Sequence, residues 1–265
     1  MFDYKTKLIL VPLGMFIFSP ALRTQTPTPA SSARQQEAGS AAQPPDLSGP
    51  WSVQGGSPSW DPSDPRGAKP EQLPMTPWAM EKFKAARPPF GAHATFDAVN
   101  DPVQKYCDPP GITRLYLYPW QFSVVKTRGL VYIVYEFPGL WRPIALDREH
   151  PKNPDSTWMG DSIGKYEGDS LVIDTIGLSD KTWIDQVGHP HSDALHLIER
   201  FRRLDADTLE LSMTFDDPKA YTKSFTTKRV FKRSSSPLEL TLCSVSEMQS
   251  FDDEVMKSTI QTPKK

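Results

Sequence analysis

The stretch from Thr182 to Arg200 carries the densest set of side chains that could do chemistry. It holds three of the five histidines of the chain, and it holds carboxylates beside them. The residues concerned are His189, His191, His196, Asp185, Asp193 and Glu199. Imidazole beside carboxylate can act as a general base, and the same pair of groups suits zinc, iron or copper. We therefore take His191, His189 and Asp185 as the catalytic candidates.

The spacing of His189 and His191 allows a metal site to be considered. Alternate residues of an extended chain point to the same side, so this H-x-H pair could bind one ion. The cupin pattern adds a Glu four or five positions further on, but Leu195 and His196 occupy those positions. Three alternatives stay open: a divalent metal at His189 and His191, a metal-free His–Asp base, or loop histidines that only bind backbone. No cofactor is predicted.

Several function classes are excluded by motif and charge. The chain has no P-loop, G-x-G-x-x-G, H-E-x-x-H or nucleophile elbow, so a nucleotide cofactor is not expected. Lys and Arg number 30 against 32 Asp and Glu, which gives a net charge of −2. Without a basic excess, nucleic acid is not an expected partner. A small-molecule ligand or substrate remains.

The sequence pattern predicts that the elements that position these residues are strands. From position 121 onward, apolar and polar residues alternate in short runs that are separated by Gly, Pro or Asp turns, which is typical of antiparallel hairpins. The runs cover 121–127, 130–137, 141–147, 158–167, 170–176, 194–204, 208–215, 224–232 and 239–245. With a first strand at Trp51, the pattern predicts an all-β fold, a single antiparallel meander closing into a barrel or strongly coiled sheet. Pro143 predicts an edge strand or a bulge.

One helix is predicted, near 77–86. Thr76 is a suitable N-cap, Pro77 fits the first helical position, and Pro88 ends the segment.

Alternation also assigns faces to the polar side chains. Glu199 shares a face with Leu195, Leu197 and Phe201, and is expected to point inward. Asp174 shares a face with Val172 and Ile176, and Glu136 with Tyr132 and Val134. Buried charges need partners, so these carboxylates indicate either a structural ion-pair network with arginines or a ligand cavity. The ligand-binding candidates are Arg142, Trp141, Asp174, Trp183, His196, Glu199 and Arg200.

Aromatic residues crowd the central segment. They either form core and cross-strand pairs or line an apolar cavity. The residues are Tyr116, Tyr118, Trp120, Tyr135, Trp141, Trp158 and Trp183.

The two ends of the chain predict export. Residues 1–21 combine Lys5 and Lys7, an apolar run of 8–18 and Ser19-Pro20-Ala21, which is typical of a signal peptide. Residues 22–45 read as a disordered tether rich in Pro, Ser, Ala and Gln, 46–251 as the barrel-like domain, and 252–265 as a frayed tail. We expect a periplasmic or extracellular protein that meets a membrane only through the signal segment. In that compartment Cys107 and Cys243 form either a disulfide or two buried thiols.

Two longer patterns are similar to known proteins. The segment 158–177 (WMGDSIGKYEGDSLVIDTIG), together with HSDALHLIERFRR at 191–203, resembles a widespread family of exported bacterial proteins. That resemblance implies an exported, barrel-like domain; it implies no catalytic residue, and none is transferred. Gly49-Pro50-Trp51 resembles the G-x-W motif of lipocalin-like barrels, in which the Trp packs across the closed end.

Three functions follow as hypotheses. The first is an exported barrel that binds a small, largely apolar or aromatic molecule, with His, Asp, Glu and Arg at the cavity mouth. The second is a hydrolase, lyase or isomerase that uses a His–carboxylate pair, with or without a metal, in the same cavity. The third is an envelope structural or interaction protein without a cavity. Convergence of His189, His191, Asp174 and Glu199 in one pocket would favour the first two. Their separation around a filled barrel would favour the third.

Overall fold

The computed structural model describes residues 45–53, 57–61, 73–95 and 99–246. The predicted signal peptide, almost all of the tether and the tail lie outside these ranges.

The described residues form a closed barrel in which nine strands follow one another in chain order, and β9 pairs with β1. This confirms the predicted all-β barrel. The strands are β1 Gly49–Val53, β2 Phe122–Lys126, β3 Leu130–Tyr135, β4 Trp141–Leu146, β5 Asp161–Glu167, β6 Ser170–Ile176, β7 His196–Arg203, β8 Thr208–Asp216 and β9 Phe225–Arg233. Closure leaves no free sheet edge of full strand length, which is how all-β folds avoid open edges.

One strand pair corrects the prediction of a purely antiparallel meander. β4 and β5 run parallel and pair only through Ala145 with Ile163 and Leu146 with Gly164. The connection 147–160 is long enough to carry the chain back along the barrel, as a parallel pair requires. The first residues of β4 therefore pair only with β3, and Pro143 lies in this half-paired stretch. A proline without an N–H is tolerated there, as expected for an edge position.

The prediction of a last strand at 239–245 is wrong. Residues 237–244 have no assigned strand or helix, and β9 pairs with β8 and β1 instead. Thr241 donates its N–H to the Glu136 carbonyl at 2.8 Å. A disulfide joins Cys243 to Cys107, with the Cα atoms 5.6 Å apart. The segment is therefore fastened beside the end of β3, where it cannot extend the sheet.

The connections divide between the two barrel ends. Antiparallel order places the tight turns 127–129, 168–169 and 204–207 at one end. The described parts of the connection from β1 to β2, together with 136–140, 177–195 and 217–224, therefore meet at the other end, which we call the loop end. Met75 pairs with Tyr221 across two of these connections. The loop end is thus a folded layer built from distant parts of the chain.

The described residues of the connection from β1 to β2 include three short helices: α1 Pro77–Ala85, α2 Pro102–Tyr106 and α3 Ile112–Leu115. The predicted helix is α1, and the Thr76 hydroxyl accepts from the Ala79 N–H as an N-cap. α2 and α3 were not predicted, because helices of five and four residues show no apolar period. In the parts of the chain that the structure describes, no helix is long and apolar enough to cross a membrane.

Buried aromatic side chains of the described residues pack on one another inside the barrel. Tyr116, which follows α3, packs edge-on against four inward-facing rings, with centroid distances of 5.4–6.1 Å. These rings belong to Phe122, Tyr135, Phe201 and Phe231. Trp51 of the G-x-W motif is fully buried, and the Arg233 guanidinium lies 4.7 Å from the centre of its ring. The loop end thus supplies a plug to the barrel.

Candidate functional site

The predicted site residues do not share one cavity. Arg142 and Glu199 lie inside the barrel. Asp174, His196, Arg200 and Trp141 lie on its outer surface. Asp185, His189, His191 and Trp183 lie in the layer at the loop end. The expected convergence of His189 and His191 with Asp174 and Glu199 is therefore wrong. Asp174 is on the outside because its register partner Ile198 also points outward.

The interior contains a buried polar network. Arg142 Nη2 donates to Glu199 Oε2 at 2.7 Å, and the Tyr116 hydroxyl donates to Glu199 Oε1 at 2.9 Å. The hydroxyls of Tyr116 and Tyr135 are 2.8 Å apart. Burial raises the pKa of Tyr135 to about 12. Burial alone would lower the pKa of Arg142, but Glu199 and the two tyrosines outweigh it and raise that pKa. The group is a charged, structural centre of the barrel.

A chain of imidazoles and carboxylates crosses the outer face. His196 Nε2 lies 2.7 Å and His150 Nε2 lies 3.1 Å from the same oxygen, Asp174 Oδ1. His150 Nδ1 in turn lies 2.6 Å from Asp161 Oδ2, and Arg148 binds Asp161 as well. His150, Arg148 and Asp161 were not predicted as site residues, because 148–157 has the pattern of a loop and Asp161 belongs to a predicted strand for which no site was proposed. Within the described ranges, no group of three or more His, Cys, Asp or Glu side chains forms a metal site.

Beside this chain lies an open groove of about 540 Å³. Both apolar and charged side chains line it, and Arg200 is held there by Glu167 at 2.6 Å. Its lining includes Arg148, Ile163, Lys165, Val172, Asp174 and Ile198.

The Asp174–His196 pair predicts a pH-dependent stability. The hydrogen bond from His196 lowers the pKa of Asp174, and the same bond raises the pKa of His196. The contribution of the pair is therefore present above the ordinary carboxyl pKa of 3.8. This contribution is lost as the pH rises above 6.5, the ordinary imidazole pKa, and passes the raised pKa of His196. Both side chains are 37 % exposed, so we expect less than about 1 kcal/mol. In urea unfolding, Asp174→Asn should destabilise more at about pH 5.5 than at about pH 9; an equal loss at both would contradict the pairing.

The histidines at the loop end have separate partners. His189 Nδ1 lies 2.6 Å from Asp185 Oδ2, and its ring stacks on Phe83 of α1 with centroids 4.6 Å apart. His191 Nε2 lies 2.7 Å from the Thr182 hydroxyl. The two histidines thus bind different partners within one loop.

A second buried ion pair lies nearby. Arg114 of α3 makes a two-pronged contact with Asp101, at 2.8 and 2.6 Å, and both side chains are almost fully buried. The rings of Tyr118 and Trp183 lie 5.9 and 5.8 Å from the guanidinium carbon. Asp101 also caps α2 by accepting from the Val103 N–H. The pair thus joins α2 to α3. It also places the flat Arg114 guanidinium, whose charge Asp101 balances, in the loop end.

An aromatic pocket of about 430 Å³ opens beside this pair. Trp120 and Phe137 stack with centroids 4.2 Å apart and planes 24° apart, and Tyr118 meets both rings edge-on at 5.6 and 5.5 Å. The lining also contains Phe90, Val103, Gln104, Arg114, Pro119, Gln186 and residues 242–244. Of the aromatic residues that the sequence offered as cavity lining, Tyr118 and Trp120 are here. Tyr116 and Tyr135 are in the interior, Trp141 is 61 % exposed, and Trp183 packs on Arg114.

Comparisons with known proteins assign no family. No family model matches the chain, and no curated protein matches it. Among solved structures, one match is a protein titled "REP1-NXSQ fatty acid transporter", which is 12 % identical in sequence with a TM-score of 0.33. The match covers 72 % of this chain and 98 % of the other. A likeness this weak carries no argument about the ligand.

Proposed function

We propose that this protein is an exported β-barrel that binds a small, flat, largely apolar molecule in the aromatic pocket at its loop end. The observation that carries the proposal is the pocket itself. Its volume of about 430 Å³ lies within the range of ligand sites, and three rings that already pack on one another line it. The site differs from the one expected from sequence, because it lies outside the filled barrel and without His189, His191, Asp174 or Glu199 in its lining.

The polar groups of the pocket favour a neutral ligand. Arg114 is the cation in the lining, and Asp101 neutralises it through two hydrogen bonds. Gln104 and Gln186 offer amides, which can donate or accept. A charged ligand would lose its hydration without gaining an unpaired counter-charge, and such desolvation is costly. A flat molecule with one hydroxyl or carbonyl fits this environment best.

Among the described residues, aromatic and apolar side chains pack on one another inside the barrel, and this is the observation that favours a structural protein without a cavity. The preformed pocket favours the binder, since well-packed rings lose little freedom when a ligand arrives. Export rests on the sequence pattern at the N-terminus and is supported by the disulfide, which is typical of oxidising compartments. Membership of the resembled exported family is likewise part of the proposal.

The test uses 2-naphthol as a neutral, flat probe and 2-naphthoate as its charged counterpart. Calorimetric titration should show one site for 2-naphthol and weaker binding of 2-naphthoate. Trp120→Ala should weaken 2-naphthol binding about tenfold or more, since it removes a stacked ring worth about 0.5–1.5 kcal/mol beyond its buried area.

The matched control is Trp141→Ala, because Trp141 is an exposed tryptophan that does not line the pocket. It should leave the affinity unchanged. Equal losses in both variants, or no saturable binding of neutral aromatic probes, would contradict the proposal.

A further inference from the structure

A second cleft at the loop end contains a hydroxyl held against an imidazole. The cleft measures about 270 Å³ and shares no residue with the aromatic pocket. Thr182 and His191 both line it, and the Thr182 Oγ1 to His191 Nε2 distance is 2.7 Å. A nucleophile within hydrogen-bond distance of a base, with the base oriented by a third group, is the arrangement used in covalent catalysis.

The third group fixes the proton positions. His191 Nδ1 lies 3.0 Å from the backbone carbonyl oxygen of Ser192. A carbonyl oxygen only accepts, so Nδ1 carries the hydrogen and, in the neutral ring, Nε2 has a free lone pair. Thr182 must therefore donate its hydroxyl hydrogen to Nε2. Burial lowers the pKa of His191, which keeps the ring neutral and able to accept that proton at neutral pH.

The orienting carbonyl is itself held firmly. Ser192 donates its backbone N–H and its hydroxyl to the two oxygens of buried Asp217, at 2.6 and 2.7 Å. Trp183 and Pro190 form a β-bridge within the same loop, and Ile184 donates its N–H to the His189 carbonyl at 2.9 Å. These bonds fix Thr182 and His191 on the two arms of a short hairpin-like turn, so their geometry is preorganised.

A glycine packs closely against the threonine that carries the hydroxyl. Gly111 has a φ of +77°, and a Cβ atom there would lie 2.9 Å from Thr182 Oγ1. The glycine thus lets the start of α3 pack closely against buried Thr182, which helps to hold its side chain in place. Lys82, Asp180 and the rings of Trp78 and Trp183 form other walls of the cleft.

We propose that Thr182 and His191 are a nucleophile and general base that cleave small neutral esters in this cleft. Thr182 Oγ1 forms a bond to the ester carbonyl carbon while its proton passes to His191 Nε2. The bond from that carbon to the alcohol oxygen then breaks, and the leaving alcohol takes the proton from Nε2. Water, deprotonated by His191, attacks the acyl-threonine, and the acid leaves as Thr182 regains its hydrogen.

The walls of the cleft indicate the substrate class. Lys82 lies in the lining, so its ammonium is available to offset the negative charge that develops on the carbonyl oxygen. Trp78 and Trp183 offer flat apolar surfaces to the alcohol or acyl part. Asp180 disfavours a second negative charge, and the small volume excludes long chains. A small ester of a flat alcohol is therefore the expected substrate.

The test is acylation by 4-nitrophenyl acetate, followed by peptide mass mapping and by release of nitrophenol. We expect one acetyl group on Thr182, retained in Thr182→Ser and absent in Thr182→Val. His191→Gln should slow acylation on the order of 10²-fold, the usual contribution of a general base. The wild-type rate should fall at acid pH as His191 becomes protonated, and this dependence should vanish in His191→Gln.

Thr214→Val is the matched control, because in the described part of the chain the Thr214 side-chain hydroxyl bonds only to another hydroxyl, that of Thr226 at 2.7 Å. It should react like the wild type. Acetylation confined to lysines, or no acylation of a folded Thr182→Ser variant, would overturn the proposal. Neither outcome affects the binding of 2-naphthol, so a failure of the esterase proposal is distinguishable from a failure of the proposed ligand pocket.

Discussion

Glu199→Gln should lower the free energy of unfolding by about 3–5 kcal/mol, because it leaves the buried Arg142 charge without its partner. Both side chains are almost completely shielded from solvent, so water cannot take over the role of the carboxylate. Arg142 Nε and Nη1 already lack a hydrogen-bond partner within the described residues, which makes the loss of Glu199 harder to compensate. Urea unfolding followed by tryptophan fluorescence measures the effect.

Glu210→Gln is the control for that experiment. Glu210 lies on the outer face and contacts Arg202 and Lys228 at 3.4 and 3.3 Å, with its side chain 17 % exposed. Its replacement should cost less than about 1 kcal/mol. The double variant Arg142→Met with Glu199→Leu should recover much of the stability, since apolar replacements of both partners are often tolerated. Equal losses for Glu199→Gln and Glu210→Gln would contradict the structural role assigned to the interior network.

Removal of the disulfide should have an effect of similar size. Replacing Cys107 and Cys243 by serine should reduce stability by about 4–5 kcal/mol in the chain-entropy account, because the bond closes a loop of 136 residues. Reduction of the wild type should give the same loss, and the reductant should change nothing in the double serine variant. Unfolding by guanidinium with and without reductant measures both.

The same change should weaken the aromatic pocket. Residues 242–244 form part of its wall and are fastened there by the disulfide and by the bond from Thr241 to Glu136. The double serine variant should therefore bind 2-naphthol less tightly than the wild type under conditions in which both are folded. Unchanged stability and unchanged affinity would show that the segment is held by other contacts.

Regular alternation of inward-facing and outward-facing residues explains why part of this architecture can be predicted from the sequence. In β7, Leu197, Glu199 and Phe201 point inward and His196, Ile198 and Arg200 outward, as the alternation predicts. β6 is found at the predicted residues, Ser170–Ile176. The side chains of a strand have a period of two, so their faces follow directly once the strand is recognised.

Other features depend on distant contacts and could not be predicted. The parallel pairing of β4 with β5 depends on the path of 147–160, and the aromatic pocket joins Trp120, Phe137 and Cys243 from three segments. Asp174 has apolar neighbours on its face, yet that face is on the outside, where His150 and His196 bind it. Alternation separates two faces of a strand, but the rest of the fold decides which of them is buried.

The pocket can be tested most directly by observing Trp120 itself during binding. The chain has seven tryptophans, and Trp120 is the one that lines the aromatic pocket. With 15N-labelled indoles, titration with 2-naphthol should shift the Trp120 side-chain signal saturably at one equivalent. The signals of exposed Trp141 and of Trp51 inside the barrel should stay in place. A saturable shift at Trp141 or Trp51 with Trp120 unmoved, or no shift at any of the seven, would contradict ligand binding at the loop end.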